Sequence, residues 1–581
     1  MVDTFKGYNH NLRIGDGEFF DMKNMTSDHY PVLSPRGKRG VYASPNKANG
    51  LISKDALCYV DGRKFVINEN EIDMGLNDAP KQLISMGAYV IIMPDKKYIN
   101  TQDLSDFGNI EAFFPGVDGQ TVNATYEMCK LDGTVYTGTT KSPSAPENPT
   151  NMQLWIDTSS VPHVLKQYSE TSAVWVQIAT TYIKISAPGI AAAFNQYDAV
   201  MISGFPQESA QLTELDGITY PLWEVYHDPG DTDRAEGTND YIVIVGILDE
   251  TVTYESKLRI ERTMPIMDFV VESGNRLFGC HYGVAANGEV VNEIYASKLG
   301  DFKNWNCFMG ISTDSWVGSC GTDGQFTGAI THMGYPLFFK ENCVHKVYGN
   351  YPANFQIQDT ACRGVQKDCE RSLAIVNETL FYKARSGVCA YDGSLPTEVS
   401  YALGSEAYKN AVGGANGNKY YISMEDTLGA YHLFVFDTAK GMWHKEDGLQ
   451  ADCFCSCDGE MYAISGGEII TLLGSGTPDA DPVEWMAETG EIGLSSPDMK
   501  YISRLTVRMY MDVGSEVRIY AQYDFNEEWE HVTTLQGISL RSFYLPIRPK
   551  RCDHMKLRIE GTGMAKVYSI TKTIEQGSEL S

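Results

Sequence analysis

The sequence predicts an all-β protein built round a β-propeller of about seven blades, six to eight being open, with an inserted small-β region and a C-terminal β-sandwich. Three observations carry that expectation. An apolar run, a short polar turn and a second apolar run recur from about residue 56 to 473. The clearest copies are Ala56-Leu57-Cys58-Tyr59-Val60 with Asp61-Gly62 and Phe65-Val66-Ile67, Phe269-Val270-Val271 with Ser273-Gly274-Asn275 and Arg276-Leu277-Phe278, and Leu373-Ala374-Ile375-Val376 with Asn377-Glu378 and Leu380-Phe381-Tyr382. Each is a hairpin signal. Composition agrees: 54 Gly and 34 Tyr, with long helical periods hard to find, favour strands and turns. Finally, a small twisted sheet with two apolar faces must stack on copies of itself, and closing the stack into a ring leaves only short edges.

Taken in order, residues 1–50 read as an extended arm leading to the first blades, 51–114. Within these, Ala88-Tyr89-Val90-Ile91-Ile92-Met93 turns through Pro94-Asp95-Lys96-Lys97 into Tyr98-Ile99. The spacing then breaks, and the Pro-rich run Ser142-Pro143-Ser144-Ala145-Pro146-Glu147-Asn148-Pro149 marks inserted material. Its first part, 115–186, is an aromatic β module with strands around Trp155, Tyr168 and Trp175, and its second, 187–264, is a small barrel or sandwich. The blades resume over 265–475. Residues 476–581 alternate, as in Leu505-Thr506-Val507-Arg508-Met509-Tyr510-Met511, with Arg and Lys on one face and apolar groups on the other, the pattern of a half-buried antiparallel sandwich.

A net charge of -28 argues against a protein that wraps nucleic acid and leaves room only for a locally basic channel. No apolar run approaches the roughly 20 residues that span a bilayer, so no membrane span is expected. The first residues, Met1-Val2-Asp3-Thr4-Phe5-Lys6, lack a secretory pattern, and synthesis is expected to end in the cytoplasm. Thirteen cysteines in such a chain read as small buried hydrophobes.

No metal site or cofactor is expected. Cys453-Phe454-Cys455-Ser456-Cys457 puts three thiols on one side of a strand, about 6–7 Å apart, which chelates poorly. His332, His345 and His432 sit in strand-like surroundings that suit structural imidazoles. There is no nucleophile elbow, phosphate loop or dinucleotide motif. No enzyme is expected either, since a glycosidase on this fold needs placed carboxylic acids and cations to hold its substrate. Trp155, Tyr168 and Trp175 form a candidate glycan or partner contact, although a miniature module also needs such rings for its own core.

Ser297-Lys298-Leu299-Gly300-Asp301-Phe302-Lys303-Asn304-Trp305 resembles the Asp-containing turn of sialidase-type propellers, in which Ser and Asp brace outer strands. Together with Met267 to Gly279, Asn292 to Ser297, Tyr335 to Lys340, Val344 to Gly349 and the lead-in Glu18 to Gly37, it resembles the propeller hub, nozzle or tail stabilisation proteins of short-tailed bacteriophages. The resemblance covers most of residues 1–110 and 265–475. It implies a virion structural protein made in the bacterial host cytoplasm and located in the tail. It also implies a ring of six copies that lines or closes the DNA exit path. Neighbouring tail or portal-adaptor proteins and tail fibres would be its partners, with viral DNA passing transiently. The insertion and the terminal sandwich depart from that pattern, and a minor tail protein of a long-tailed phage would suit the same blades. The module's Trp-Ile-Asp-Thr also resembles accessory repeats in tail proteins of phages of Gram-positive hosts. The rival expectations are a receptor-binding tail protein that recognises cell-wall glycan through the insertion, and a glycan hydrolase.

Overall fold

The computed structural model describes residues 1–576 apart from 285–287, 479–480, 495–498, 525, 527 and 549. Six four-stranded antiparallel sheets follow one another at 48–73, 82–109, 269–319, 328–361, 374–398 and 409–445. A seventh is built from Cys453–Cys457, Glu460–Ser465 and Glu468–Thr471, and Gly40–Ala43 from the start of the chain pairs beside the last of these. The first strand of the seventh sheet lies against the first strand of the first sheet, so the ring closes. The propeller has seven blades, and its only α-helix among the described residues is the single turn Ala210–Thr213 in the insertion.

The central strands of the blades are apolar along their length because both faces of each blade are covered, whereas outer strands such as Asn70–Asp73 and Gln356–Ala361 are polar. In Tyr89–Met93, Val90 and Ile92 pack with Cys58, Val60 and Phe65 of blade one. Ile91 and Met93, pointing the other way, pack with Val270, Leu277 and Trp305 of blade three. The same sharing recurs between blades three and four, where Phe278 and Ile294 meet Phe338 and Val347, and between blades seven and one, where Ile464 and Ile469 meet Leu51 and Leu57.

The sandwich pairs a six-stranded sheet, running Gly7–Tyr8, Glu18–Lys23, Glu484–Thr489, Met555–Thr562, Glu516–Tyr523 and Glu530–Gln536, with a sheet centred on Lys500–Met511 and Ala565–Gln576. Two of those strands come from the N-terminal arm, which was expected to be an extended lead-in. The arm instead serves two domains, giving strands to the sandwich and Gly40–Ala43 to blade seven. A register shift between Phe19 and Asp21 explains why the strand was hidden: it breaks the alternation that marks a half-buried strand, yet leaves Phe19 and Met22 buried. Gly7 adopts φ +86° where a Cβ would meet the Trp443 carbonyl oxygen, so only glycine lets the arm lie this close to blade six.

The insertion also divides differently from the expected break near residue 186. Val122–Cys129 and Tyr182–Ser186, from the expected module, share one sheet with Tyr241–Val245 and Val252–Ser256. This sheet and a second one, formed by Ala112–Phe114, Arg259–Arg262, Ala199–Ser203 and Ile218–Pro221, enclose Tyr126, Ile185, Val200, Ile244 and Ile260. Only residues 140–177 form a separate small sheet.

His444 is buried at the junction of blade six with the arm, and neither ring nitrogen has a partner among the described residues. Burial, with Lys419 nearby, pulls its imidazole down to about 3. The folded value lies below the unfolded one, so from about pH 6.5 downward the unfolded chain takes up a proton that the folded chain refuses, and stability falls by ~1.4 kcal/mol per pH unit. His444→Phe removes this proton. Its thermal midpoint relative to the wild type is expected to climb steadily as pH is lowered from about 7 to about 4, and a constant difference would refute the assignment.

Candidate functional site

The small sheet places the three ring residues singled out in the sequence on one face. Tyr168 lies opposite Trp175 across Val164–Ser169 and Val174–Gln177, and Trp155 lies opposite Lys166. Ring centroids are 5.3 Å apart for Trp155 and Trp175 and 5.4 Å apart for Tyr168 and Trp175. Trp155 is buried; its indole N–H donates to the Ser142 carbonyl at 3.0 Å, and the Lys166 ammonium stands 4.9 Å from its ring. Lys166 donates to Asp157 at 2.8 Å. Trp175, Tyr168 and Lys166 are half-buried, so two rings and a cation form the outward surface, with the Asp157 carboxylate buried beneath Lys166. The opposite face sends Ile156 and Leu165 into the main core of the insertion. The module is therefore seated by aliphatic residues, and the rings are not its only core.

Beneath the module runs an open groove of about 670 Å³, walled by Val161, Leu165 and Ile178 on one side and by Gln211, Leu215 and Ile247 on the other. At its end the almost fully buried Asp249 carboxylate accepts from Lys141 at 2.7 Å, His163 at 2.8 Å and Gln211 at 3.0 Å. Burial pushes this carboxyl upward, but the donated bonds outweigh it and hold the group below the usual carboxylate range. Lys141 and His163 belong to the module, whereas Gln211 and Asp249 belong to the body, so Asp249 clamps one to the other. Nothing in the sequence flagged these four, which come together only across as many as 108 residues of chain.

Because the folded pKa of Asp249 is depressed, the clamp's contribution is present above about pH 4 and is lost as pH falls through the folded value. Asp249→Ala is expected to loosen the module by about 1–3 kcal/mol, the cost of stranding buried donors. Hydrogen exchange across 140–177 should accelerate while the propeller stays protected. Unchanged module exchange would dismiss the clamp.

On the propeller axis the blades leave a cavity of about 450 Å³, lined among others by Leu51, Gln82, Phe269, Ala329, Val412 and Phe454. Asp268, Glu370 and Arg371 also reach its wall.

The remaining motifs take structural positions. The Ser297 hydroxyl accepts from the Leu277 amide at 3.0 Å and Asp301 accepts from the Lys303 amide at 2.9 Å, bracing the turn. Asn304 reaches out of that turn, donating to Asp198 at 2.8 Å and accepting from the Ala199 amide at 2.9 Å, so the turn grips the insertion. Cys453, Cys455 and Cys457 pack between blades seven and one, where burial pushes the Cys455 thiol up to about 12. His332 bonds the Glu378 carbonyl at 2.6 Å, His345 the Thr322 hydroxyl at 2.7 Å and His432 the Asp426 carboxylate at 2.8 Å.

No family model matches the chain, and no curated protein does. Among solved structures it is similar to the exo-β-1,3-galactanase of Phanerochaete chrysosporium with galactose, at 9% identity and a TM-score of 0.20, over 52% of this chain and 95% of that one. It is similar to a GH43 glycoside hydrolase engineered to display both endo-xylanase and exo-arabinofuranosidase activity, at 10% identity and a TM-score of 0.20, over 53% and 96%. It is also similar to PorZ, a surface component of the type-IX secretion system of Porphyromonas gingivalis, at 10% identity and a TM-score of 0.26, over 96% and 86%. The expectation that the chain is not an enzyme is corrected by these neighbours: glycoside hydrolases stand among them, so the exclusion of enzymatic activity is withdrawn. Likeness at this level brings no substrate with it.

Proposed function

We propose that the protein is a structural component of a bacteriophage tail, a ring-forming propeller hub or nozzle that lines or closes the DNA exit path and anchors neighbouring tail parts. The observation that carries this reading is a closed propeller with a separate domain fastened on each of two sides, a rigid body with two handles for neighbours. The blade motifs resemble those of tail hubs, and their order along the chain supports it further. The axial cavity of about 450 Å³ is too small to pass a DNA duplex. The exit path in this reading is therefore the centre of a ring of copies, six by resemblance. With a net charge of -28, walls of this protein repel phosphate and let DNA slide. Among the described residues no helix is long and apolar enough to cross a membrane, and the proposed location is the virion tail.

Mass spectrometry of purified particles and gold-labelled antibody in electron micrographs test the reading. Label on the tail axis is expected. Particles that lack the protein would refute it.

The outward rings favour a second reading, a receptor-binding tail protein that recognises host cell-wall glycan. Trp175 and Tyr168 offer flat apolar surface for a sugar ring, with the half-buried Lys166 for its hydroxyls. Label on peripheral fibres, together with loss of cell-wall binding in Trp175→Ala, would favour it over the hub.

A further inference from the structure

The outer face of the sandwich is basic and aromatic in a chain that is otherwise acidic. The positive charge belongs to this face and not to the whole domain: residues 476–581 carry 12 Lys and Arg against 16 Asp and Glu, whereas residues 112–262 of the insertion carry 8 against 20. On the sheet centred on Lys500–Met511, the alternation that sends Leu505, Val507 and Met509 into the core turns Arg504, Thr506, Arg508 and Tyr510 outward. Cross-strand partners extend that face: Tyr544 and Thr571 beside Thr506, Ser542 and Ser569 beside Arg508, and Lys566 beside Tyr510. Tyr544 is 66% exposed with the Arg504 guanidinium 4.6 Å from its ring. Neither Arg508 nor Lys566 has an acidic partner among the described residues. At one end of the face Asp512 bonds Tyr510. Arg and Tyr are among the side chains enriched at protein interfaces.

The two charged appendages also sit opposite one another. The insertion leaves after Phe107–Asn109 of blade two and returns before Phe269–Ser273 of blade three. The sandwich is held at blade six, where Gly7–Tyr8 and Glu18–Lys23 pack on Met442–Lys445, Lys445 binds Asp21 at 3.1 Å, and the Tyr8 ring lies 5.6 Å from Phe434. From the junction of blades two and three, blade six is three and a half blades away in either direction, the largest separation that seven blades allow. Opposite surfaces of opposite charge on one subunit make a head-to-tail contact, which yields a ring if the rotation closes and a filament if it does not.

We infer that the basic-aromatic face of the sandwich docks on the acidic inserted unit of a second copy of this chain. The inference rests on the ring-forming reading above and names its contact surfaces. On the insertion, Glu208, Glu214 and Asp216 flank the single helical turn, are exposed, and have no basic partner among the described residues. A protein partner fits better than nucleic acid. Three cations would neutralise few phosphates, and the rest of the chain repels them.

The test uses full-length protein and sedimentation velocity. Wild-type copies should associate at low salt and separate as salt rises, because the screening length shrinks from about 10 Å at 0.1 M to about 3 Å at 1 M. The triple variant Arg504→Glu, Arg508→Glu, Lys566→Glu should weaken association at least tenfold with an unchanged melting curve, since all three side chains lie on the outer face. Glu208→Lys, Glu214→Lys, Asp216→Lys should do the same, and an equal mixture of the two variants should associate again. A monomeric wild type at low salt, undiminished association of the basic-face variant, or binding of labelled duplex DNA by a face that leaves copies monomeric would overturn the inference. The tail reading fails separately. Protein absent from particles but associating through this face refutes the location alone, whereas particles whose rings survive the triple variant refute the surface alone.

Discussion

Deleting residues 1–43 should yield a protein that aggregates, because the deletion strips an outer strand from blade seven and two strands from the sandwich in one step. Gly40–Ala43 pairs with Glu468–Thr471, and without it that strand offers a bare row of amides and carbonyls to any other chain. Glu18–Lys23 pairs with Glu484–Thr489, and its loss uncovers a second edge while removing Phe19 and Met22 from the core shared by the sandwich and blade six. A single residue tests the same latch more finely. Arg39 is buried, 2.9 Å from Glu446 and 2.7 Å from Asp447, and Arg36 stands 3.6 Å and 3.2 Å from the same pair. Arg39→Ala leaves two carboxylates facing one remaining guanidinium. Breaking a buried pair from one side costs about 3–5 kcal/mol, and Arg36 should hold the loss near the lower end. The expected readout is rapid hydrogen exchange in Gly40–Ala43 and Glu468–Thr471, with early proteolytic release of the arm. A deletion protein that stays monomeric and melts like the wild type would show the latch to be dispensable.

The propeller was readable because its blades repeat and each strand carries its own evidence. Tyr89–Met93 is apolar on both sides, and only a sheet covered on both faces needs that. What could not be read was every feature set by contact between distant segments. The closing strand Gly40–Ala43 is four residues of no special character, and its partner lies more than 400 residues away. The insertion was visible as a break in spacing, but its internal division was not, because Val122–Cys129 pairs with strands that begin on the far side of the small module. The aromatic trio was legible as a cluster because cross-strand register can be guessed over a short hairpin. Its role as the outward side of the sheet was not, since that depends on Ile156 and Leu165 meeting a core built elsewhere. The charge alternation of the last domain was plain in the sequence; its position opposite the insertion belongs to the closed ring alone.

The insertion should come loose at its root if Asp198 is removed. Asp198 and Arg262 form an ion pair in which both side chains are at most 5% exposed. Asp198 also accepts from the Asn195 amide at 2.9 Å and from Asn304 of blade three at 2.8 Å, while Arg262 donates to the Ile110 carbonyl at 3.3 Å and 3.2 Å. Four segments therefore meet around one ion pair: the end of blade two, the turn of blade three, and the strands Ala199–Ser203 and Arg259–Arg262. Asp198→Ala strands a buried guanidinium, at a cost of about 3–5 kcal/mol. Asn304→Ala strands the Ala199 amide and one carboxylate oxygen, at about 1–3 kcal/mol. The two residues share a bond, so the double variant should lose less than the two single losses added together. Hydrogen exchange is the measurement that separates this from general damage. Fast exchange should appear in Ala199–Ser203 and Arg259–Arg262 while the inner strands of blades four to six keep their protection. If the losses of the single variants simply add, the network is not acting as one joint. If the whole propeller opens, the insertion is not a separately hinged unit, and the picture of a rigid ring carrying two independent handles has to be given up.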